Sequence, residues 1–214
     1  MSALSQSAQR MTEAEYLAFE RASEFRHEYF AGEIFAMTGA SEAHNLIAAN
    51  VLVSLRNQLR GRSCKVYIAD MRVKVAATGL YTYPDLSVVC GEARFADNEL
   101  DTLLNPAVII EVLSPSTEAY DRGRKFQHYR QIETLREYLL IAQDSPRIER
   151  YLRRDDGAWL LTDAHGLDAA LDLPAIGCAL ALADVYEQVA FGPASDAATQ
   201  NPLSQAAEGA GVQG

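Results

Sequence analysis

The sequence predicts a mixed α/β (α+β) fold, with a central sheet flanked by helices. A helix and a hairpin precede that sheet, and further strands follow it. Three stretches carry the expectation. Asp85 to Cys90 and Ala107 to Leu113 are short and almost wholly apolar, as strands buried on both faces are. Glu42 to Arg60 repeats apolar residues at helical spacing through Leu46, Ile47, Val51 and Leu55, the pattern of an amphipathic helix.

The other elements follow in chain order. Thr12-Glu13-Ala14-Glu15 is a capping box, so a short helix runs from Glu13 to Ala22. Arg26 to Met37 reads as a hairpin, with Gly32 supplying the positive φ of a tight turn. Ser41 caps the long helix and Gly61 ends it. Lys65 to Ile68 and Arg72 to Val75 are strand-like; the second alternates basic and apolar residues, as a half-exposed strand does. Ala77-Thr78-Gly79 is a turn, and the polar stretch Gly91 to Pro106 is a loop or short helix. After the break at Ser114-Pro115-Ser116-Thr117, Phe126, Tyr129 and Ile132 mark a helix from Tyr120 to Ile132. Glu137 to Ile141, Arg147 to Arg153 and Ala158 to Thr162 are further strands. For Leu180 to Val189 periodicity leaves helix and strand open.

A chain of 214 residues with 49% hydrophobic content suits one domain with a proper core, here placed at residues 11–191. Residues 1–10 are polar and expected to be disordered. Residues 192–214 turn to Ala, Ser, Gln, Gly and Pro and bury too little to offset their ordering entropy, so a disordered tail is expected there. No apolar run approaches the roughly 18 residues of a membrane span, and the N-terminus lacks a signal-peptide core. Cys64, Cys90 and Cys178 are scattered and odd in number, which reads as reduced core cysteines in a cytoplasmic protein. The net charge of −10 excludes a surface coated with nucleic-acid-binding charge. The basic residues still cluster locally, between Arg56 and Lys74 and between Arg122 and Arg130.

The chemistry concentrates between Tyr83 and Lys125. Glu111 interrupts Val108-Ile109-Ile110 and Val112-Leu113, and a buried carboxylate without a partner costs several kcal/mol, on the order of a folded domain's margin. Asp85 heads a second such run. Both need a cation. Two carboxylates at corresponding ends of neighbouring strands suit a shared Mg²⁺ or Mn²⁺, and a nearby lysine could orient or deprotonate a water for phosphodiester hydrolysis. Simpler readings stay open: Asp85 capping a turn, Glu111 paired with Arg72 or Lys74, Lys125 paired with Asp121 along one helix. His44, in the first turn of the long helix, is a further candidate as metal ligand, base or structural histidine. Glu42 and Asp70 are weaker candidates. His27, His128 and His165 read as structural or surface residues.

Pro84-Asp85, a loop, then Glu111 in an apolar strand resembles the PD-(D/E)XK nuclease signature. Gly32-Glu33, Glu42-Ala43-His44, Tyr83-Pro84-Asp85, the run Ile110 to Thr117, Asp121 with Lys125 and Tyr129, and Glu137-Tyr138 follow in order. Together they resemble the Uma-type family of putative restriction endonucleases over about Met11 to Val189. The resemblance implies a restriction-endonuclease-like fold and a Mg²⁺- or Mn²⁺-dependent endonuclease acting on DNA as a homodimer. It implies metal ligands at Asp85 and Glu111, no organic cofactor and no membrane partner. The signature's lysine stands two residues after the glutamate, but that position is Leu113 here; in the family the lysine comes from the following helix, which corresponds to Lys125. The alternative is a nuclease-like fold kept as a binding or interaction module.

Overall fold

The computed structural model describes residues 10–191. Of the segments expected to be disordered, 1–10 and 192–214, residues 1–9 and 192–214 lie outside the described residues; Arg10 is described, 3.7 Å from Glu33. The chain begins with α1 (Glu13–Ala22), whose capping box forms as the sequence requires, with Thr12 and Glu15 satisfying each other's backbone. The hairpin β1 (His27–Phe30) and β2 (Glu33–Ala36) follows, then α2 (Glu42–Gln58), capped by Ser41. Next come β3 (Cys64–Ile68), β4 (Arg72–Val75), β5 (Leu80–Thr82), β6 (Leu86–Cys90), β7 (Thr102–Leu103) and β8 (Val108–Val112). A broken helix leads on: α3 (Glu118–Tyr120), a π-helical segment Asp121–Lys125, and α4 (Phe126–Tyr129). The chain closes with β9 (Glu137–Ile141), β10 (Arg147–Arg153), β11 (Trp159–His165), β12 (Ala170–Leu173), β13 (Cys178–Ala181) and α5 (Leu182–Val185).

The strands form a six-stranded sheet ordered β11-β10-β9-β8-β6-β3, a five-stranded sheet ordered β2-β1-β5-β4-β7 and a β12-β13 pair. In the six-stranded sheet only β8 and β9 run parallel. Parallel neighbours need a crossover, and residues 113–136, with the broken helix, provide it. Pleating sorts the central side chains by face. Val108, Ile110 and Val112 pack with Ile47, Val51 and Leu55 of α2. Ile109 and Leu113 pack on the other face with Val73, Val75, Tyr129 and Tyr138. Glu111 therefore points toward the crossover helix and the five-stranded sheet. A third cluster, Tyr16, Tyr29 and Tyr81, holds α1 to that sheet.

Four expectations change. The Gly91 to Pro106 stretch, expected as a loop or short helix, holds the two-residue strand β7, which pairs parallel to β4. β4 is not half-exposed: Arg72 is 3% exposed, 2.9 Å from Asp101, and donates to Tyr83. Its alternation meets paired acceptors in place of water. The undecided Leu180 to Val189 stretch is split, since β13 ends at Ala181 and α5 begins at Leu182. The cysteines are not all reduced. Cys64 stands directly opposite Cys90 in the β3–β6 ladder, with Cα atoms 4.0 Å apart, and the two form a disulfide. Spacing along the chain hid this, because pairing of β3 with β6 joins residues 26 positions apart. The cysteine argument for a cytoplasmic location falls with it. Cys178 is free and buried, as expected.

Unfolded without reductant, the protein should take up one maleimide per chain, and after reduction three. Reduction should also lower stability by about 3 kcal/mol, read by denaturant titration. Three labels without reductant would refute the pairing.

Candidate active site

The β6–β8 ladder sets the site. Leu86 pairs with Ile110, so one step further Asp85 stands opposite Glu111. The Val112 N–H donates to Asp85 Oδ2 at 2.7 Å and fixes that carboxylate at the sheet end. Ser41 accepts from the His44 N–H, which orients the first turn of α2, and His44 Nε2 lies 3.1 Å from the same Asp85 oxygen. Ser41 also bonds Gln143 at 2.5 Å, and Gln143 donates to Leu113 O, tying the α2 N-terminus to the ends of β8 and β9.

Lys125 arrives from the opposite side. The wider turn of the π segment buries both Asp121 and Lys125, four residues apart. Lys125 Nζ lies 2.9 Å from Glu111 Oε1, 3.4 Å from Asp121 Oδ1 and 3.4 Å from Glu28 Oε1. Tyr129, one α-helical turn on, donates to Glu111 Oε1 at 2.8 Å. The place the nuclease signature reserves for lysine, Leu113, lies in the apolar core on this same face. The cation thus reaches Glu111's face from the crossover and not from the strand.

Glu111 does not pair with Arg72 or Lys74. Those cations are engaged by Asp101 and by Glu13, the latter at 2.7 Å. Lys125 does pair with Asp121, but as part of a buried cluster and not on a helix surface. Asp85, Glu111, Lys125 and His44 all line one cleft of about 960 Å³, with Glu28 and Asp121. Asp70 lies on the cleft margin 3.4 Å from Arg26, and Glu42 is exposed in the first turn of α2. His27 is tied to Glu20 and His128 to Thr78, structural roles as read. His165 bonds Asp163 at the surface.

Glu28 was missed. It is 9% exposed, accepts from Thr82 and Tyr120, and faces Lys125. Its signal was weaker than that of Glu111: a carboxylate just ahead of the aromatic pair Tyr29-Phe30 in a short strand.

Three carboxylates, Glu28, Glu111 and Asp121, therefore surround one ammonium, and Asp85 stands beside them with His44. Burial pushes Glu111 up to about 8; Lys125 opposes this, and the charges of Asp121 and Asp85 add to it. Burial likewise raises Asp121. Burial works against charge on Lys125, yet Glu111, Tyr129, Glu28 and Asp121 outweigh it and hold the ammonium well above its ordinary range. Burial also disfavours the charged form of His44, but the bond to Asp85 and the charges of Asp85 and Asp121 raise it on balance.

The donor set fits a hard divalent ion. Asp85 uses Oδ2 and Glu111 uses Oε1 for protein contacts, and among the described residues neither partner oxygen accepts a hydrogen bond. Two carboxylates with spare oxygens on one cleft match the way Mg²⁺ binds, completed by water and phosphate. Among the described residues no three His, Cys, Asp or Glu side chains make a preformed ligand group. Among them, too, no helix is long and apolar enough to cross a membrane.

The Uma2 family model, described as "Putative restriction endonuclease", matches residues 13–183. This chain belongs to the Uma2 family. Two uncharacterized proteins of Synechocystis sp. are each 38% identical to it. One aligns over 182 residues, covering 85% of this chain and 94% of the relative. The other aligns over 162 residues, covering 76% and 92%. The crystal structure of a putative nuclease belonging to DUF820, from Anabaena variabilis, superposes with a TM-score of 0.67 at 19% identity. It covers 82% of this chain and 97% of that one. The expected nuclease-like α+β fold, with its mixed sheet flanked by helices, is thereby established.

Between pH 4.5 and about 8, the folded state holds a proton on Glu111 that the unfolded chain has released. Stability contributed by that proton is full below the lower value and is lost as pH rises through the upper one. In EDTA, Glu111→Gln should therefore gain on wild type between pH 5 and pH 8.5, by roughly 2 kcal/mol or more in denaturant titrations. Equal stability at both pH values would contradict the assignment.

Proposed function

We propose that this protein is a divalent-metal-dependent endonuclease that hydrolyses DNA phosphodiester bonds. The observation that carries the reading is the 2.9 Å contact between Lys125 Nζ and Glu111 Oε1. A lysine delivered by the crossover restores to Glu111's face the cation that Leu113 cannot supply. The family match over residues 13–183 supports the same conclusion.

Asp85 and Glu111 would hold Mg²⁺ or Mn²⁺ through their spare oxygens. The ion, when bound, supplies Lewis-acid polarisation of the phosphate and neutralises its charge. Lys125, held protonated by the surrounding carboxylates, acts as a donor that orients water and offsets phosphate charge, and not as a general base. Tyr129 fixes Glu111 Oε1, leaving Oε2 toward the cleft. His44 and the Val112 N–H fix Asp85. His44 is thus a positioning residue and not a metal ligand. Residues 11–191 form the nuclease-like unit in this reading. The reading keeps the homodimer that the family resemblance implies, with one such site per copy, and a cytoplasmic location where DNA is within reach.

A second reading, a nuclease-like module without catalysis, takes its support from Lys125. Its ammonium already faces three carboxylates and has little freedom to engage a substrate.

Purified protein with Mg²⁺ or Mn²⁺ should cut DNA. Asp85→Ala, Glu111→Ala and Lys125→Ala should each lower the rate by at least about a hundred-fold, and His44→Ala by about ten-fold. Calorimetry should show Mg²⁺ binding lost in Asp85→Ala. Cleavage that persists in all three carboxylate and lysine variants would overturn the assignment. A protein that binds no metal at millimolar concentration would favour the module.

A further inference from the structure

The mouth of the cleft is apolar. Phe35 on β2, Met37 just beyond it and Ile68 at the end of β3 all line the cleft, and they are 50%, 37% and 52% exposed. Exposed side chains of this size, gathered around one opening, mark a surface made for contact. Nothing covers them among the described residues.

The mouth is also poor in cations. Of the residues lining the cleft, only His44 and Lys125 are basic, and both are committed to carboxylates. A duplex presents its phosphates outward and keeps its bases stacked inside, so a protein grips it mainly with Arg and Lys. At this mouth a duplex would meet carbon, hydroxyl and amide groups and carboxylates, with both basic side chains already paired. An unpaired strand differs, because its bases turn out and stack on apolar and aromatic side chains.

The cation that is missing at the mouth stands further along α2. Asn45, Ala49 and Leu52 line the cleft. Arg56 follows Leu52 by four residues and falls within about 20° of Asn45 and Ala49 around the helix axis, about 16 Å beyond Asn45 and about 10 Å beyond Ala49. It is exposed and makes no salt bridge among the described residues. Ala49, with its single methyl group, leaves the intervening surface low enough for a strand to lie against.

We propose that the substrate is unpaired DNA: its bases stack on the Phe35–Met37–Ile68 rim, its scissile phosphate reaches the Asp85–Glu111 carboxylates, and its backbone follows α2 to Arg56. This rests on the nuclease reading above and narrows its substrate class. The three rim side chains act on base faces and Arg56 acts on phosphate, so their substitutions have separable effects.

The test uses the full chain with a fluorescein-labelled single strand of about twenty nucleotides, and with the duplex of the same sequence. Binding is read by anisotropy in EDTA and in Mg²⁺, and cleavage by gel in Mg²⁺. The single strand should bind about ten-fold tighter than the duplex and be cut faster. Phe35→Ala and Ile68→Ser, both at exposed positions that leave the core intact, should each weaken single-strand binding several-fold and so reduce the preference. Arg56→Gln should weaken both ligands and reduce the slope of log affinity against log salt by about 0.7 for the single strand. Duplex bound as tightly as the single strand, or a preference that survives both rim substitutions, would overturn the inference. If DNA were still cut in that case, the nuclease reading would stand. Self-association abolished by Phe35→Ala, with DNA binding unchanged, would reassign the rim to an interface between copies. A protein that neither binds nor cuts either ligand, with Mg²⁺ or Mn²⁺, would remove the nuclease reading and this inference together.

Discussion

The 2.9 Å contact between Lys125 and Glu111 is the constraint on which the site depends. Each partner is buried in a setting that disfavours its charge, and each is tolerable only because the other is there. Removing one member of such a pair strands the other, typically at a cost of about 3–5 kcal/mol. The surroundings follow from that requirement. The π segment turns Lys125 and Asp121 inward together, Tyr129 adds a second donor to Glu111, and Glu28 closes the ring from β1. Residues far apart in the chain are thereby made to meet at one point, between the broken helix, the six-stranded sheet and the hairpin.

The ring is unbalanced. Three carboxylates around one ammonium leave excess negative charge in a poorly hydrated place, and burial raises both Glu111 and Asp121. A structural core would relieve this with another cation or with an apolar residue. The imbalance persists here beside an open cleft, with one oxygen of Asp85 and one of Glu111 unused. An arrangement of this kind gains when a cation or a proton arrives, as a functional site's perturbed carboxylates do.

Much of this was legible in the sequence, for physical reasons. Apolar runs bounded by turn residues located β6 and β8, and helical spacing located α2, because burial dictates both patterns. Asp85 and Glu111 stood out because each breaks such a run. Other features depended on which strands become neighbours. The Cys64–Cys90 pairing needs the β3–β6 register. The burial of Arg72 needs Asp101, Thr102 and Tyr83 brought to it. β5 is only three residues long, too short for periodicity to reveal. The π segment has no signature in spacing, since Phe126, Tyr129 and Ile132 fit an ordinary helix equally well.

β8 and β9 lie side by side and parallel. A chain that leaves one such strand and enters the other must travel back along the sheet, and a right-handed crossover returns it across one face. The helix in residues 113–136 thus passes over Glu111 as a matter of topology, whatever its sequence. Its inward positions are all candidates to hold a cation near that carboxylate. The strand is then released from carrying the lysine, and Leu113 is free to pack the core. Chain connectivity, more than any local motif, decides where in this sequence the charged partner can be written. A fixed spacing rule that looks for it two residues past the glutamate would overlook it.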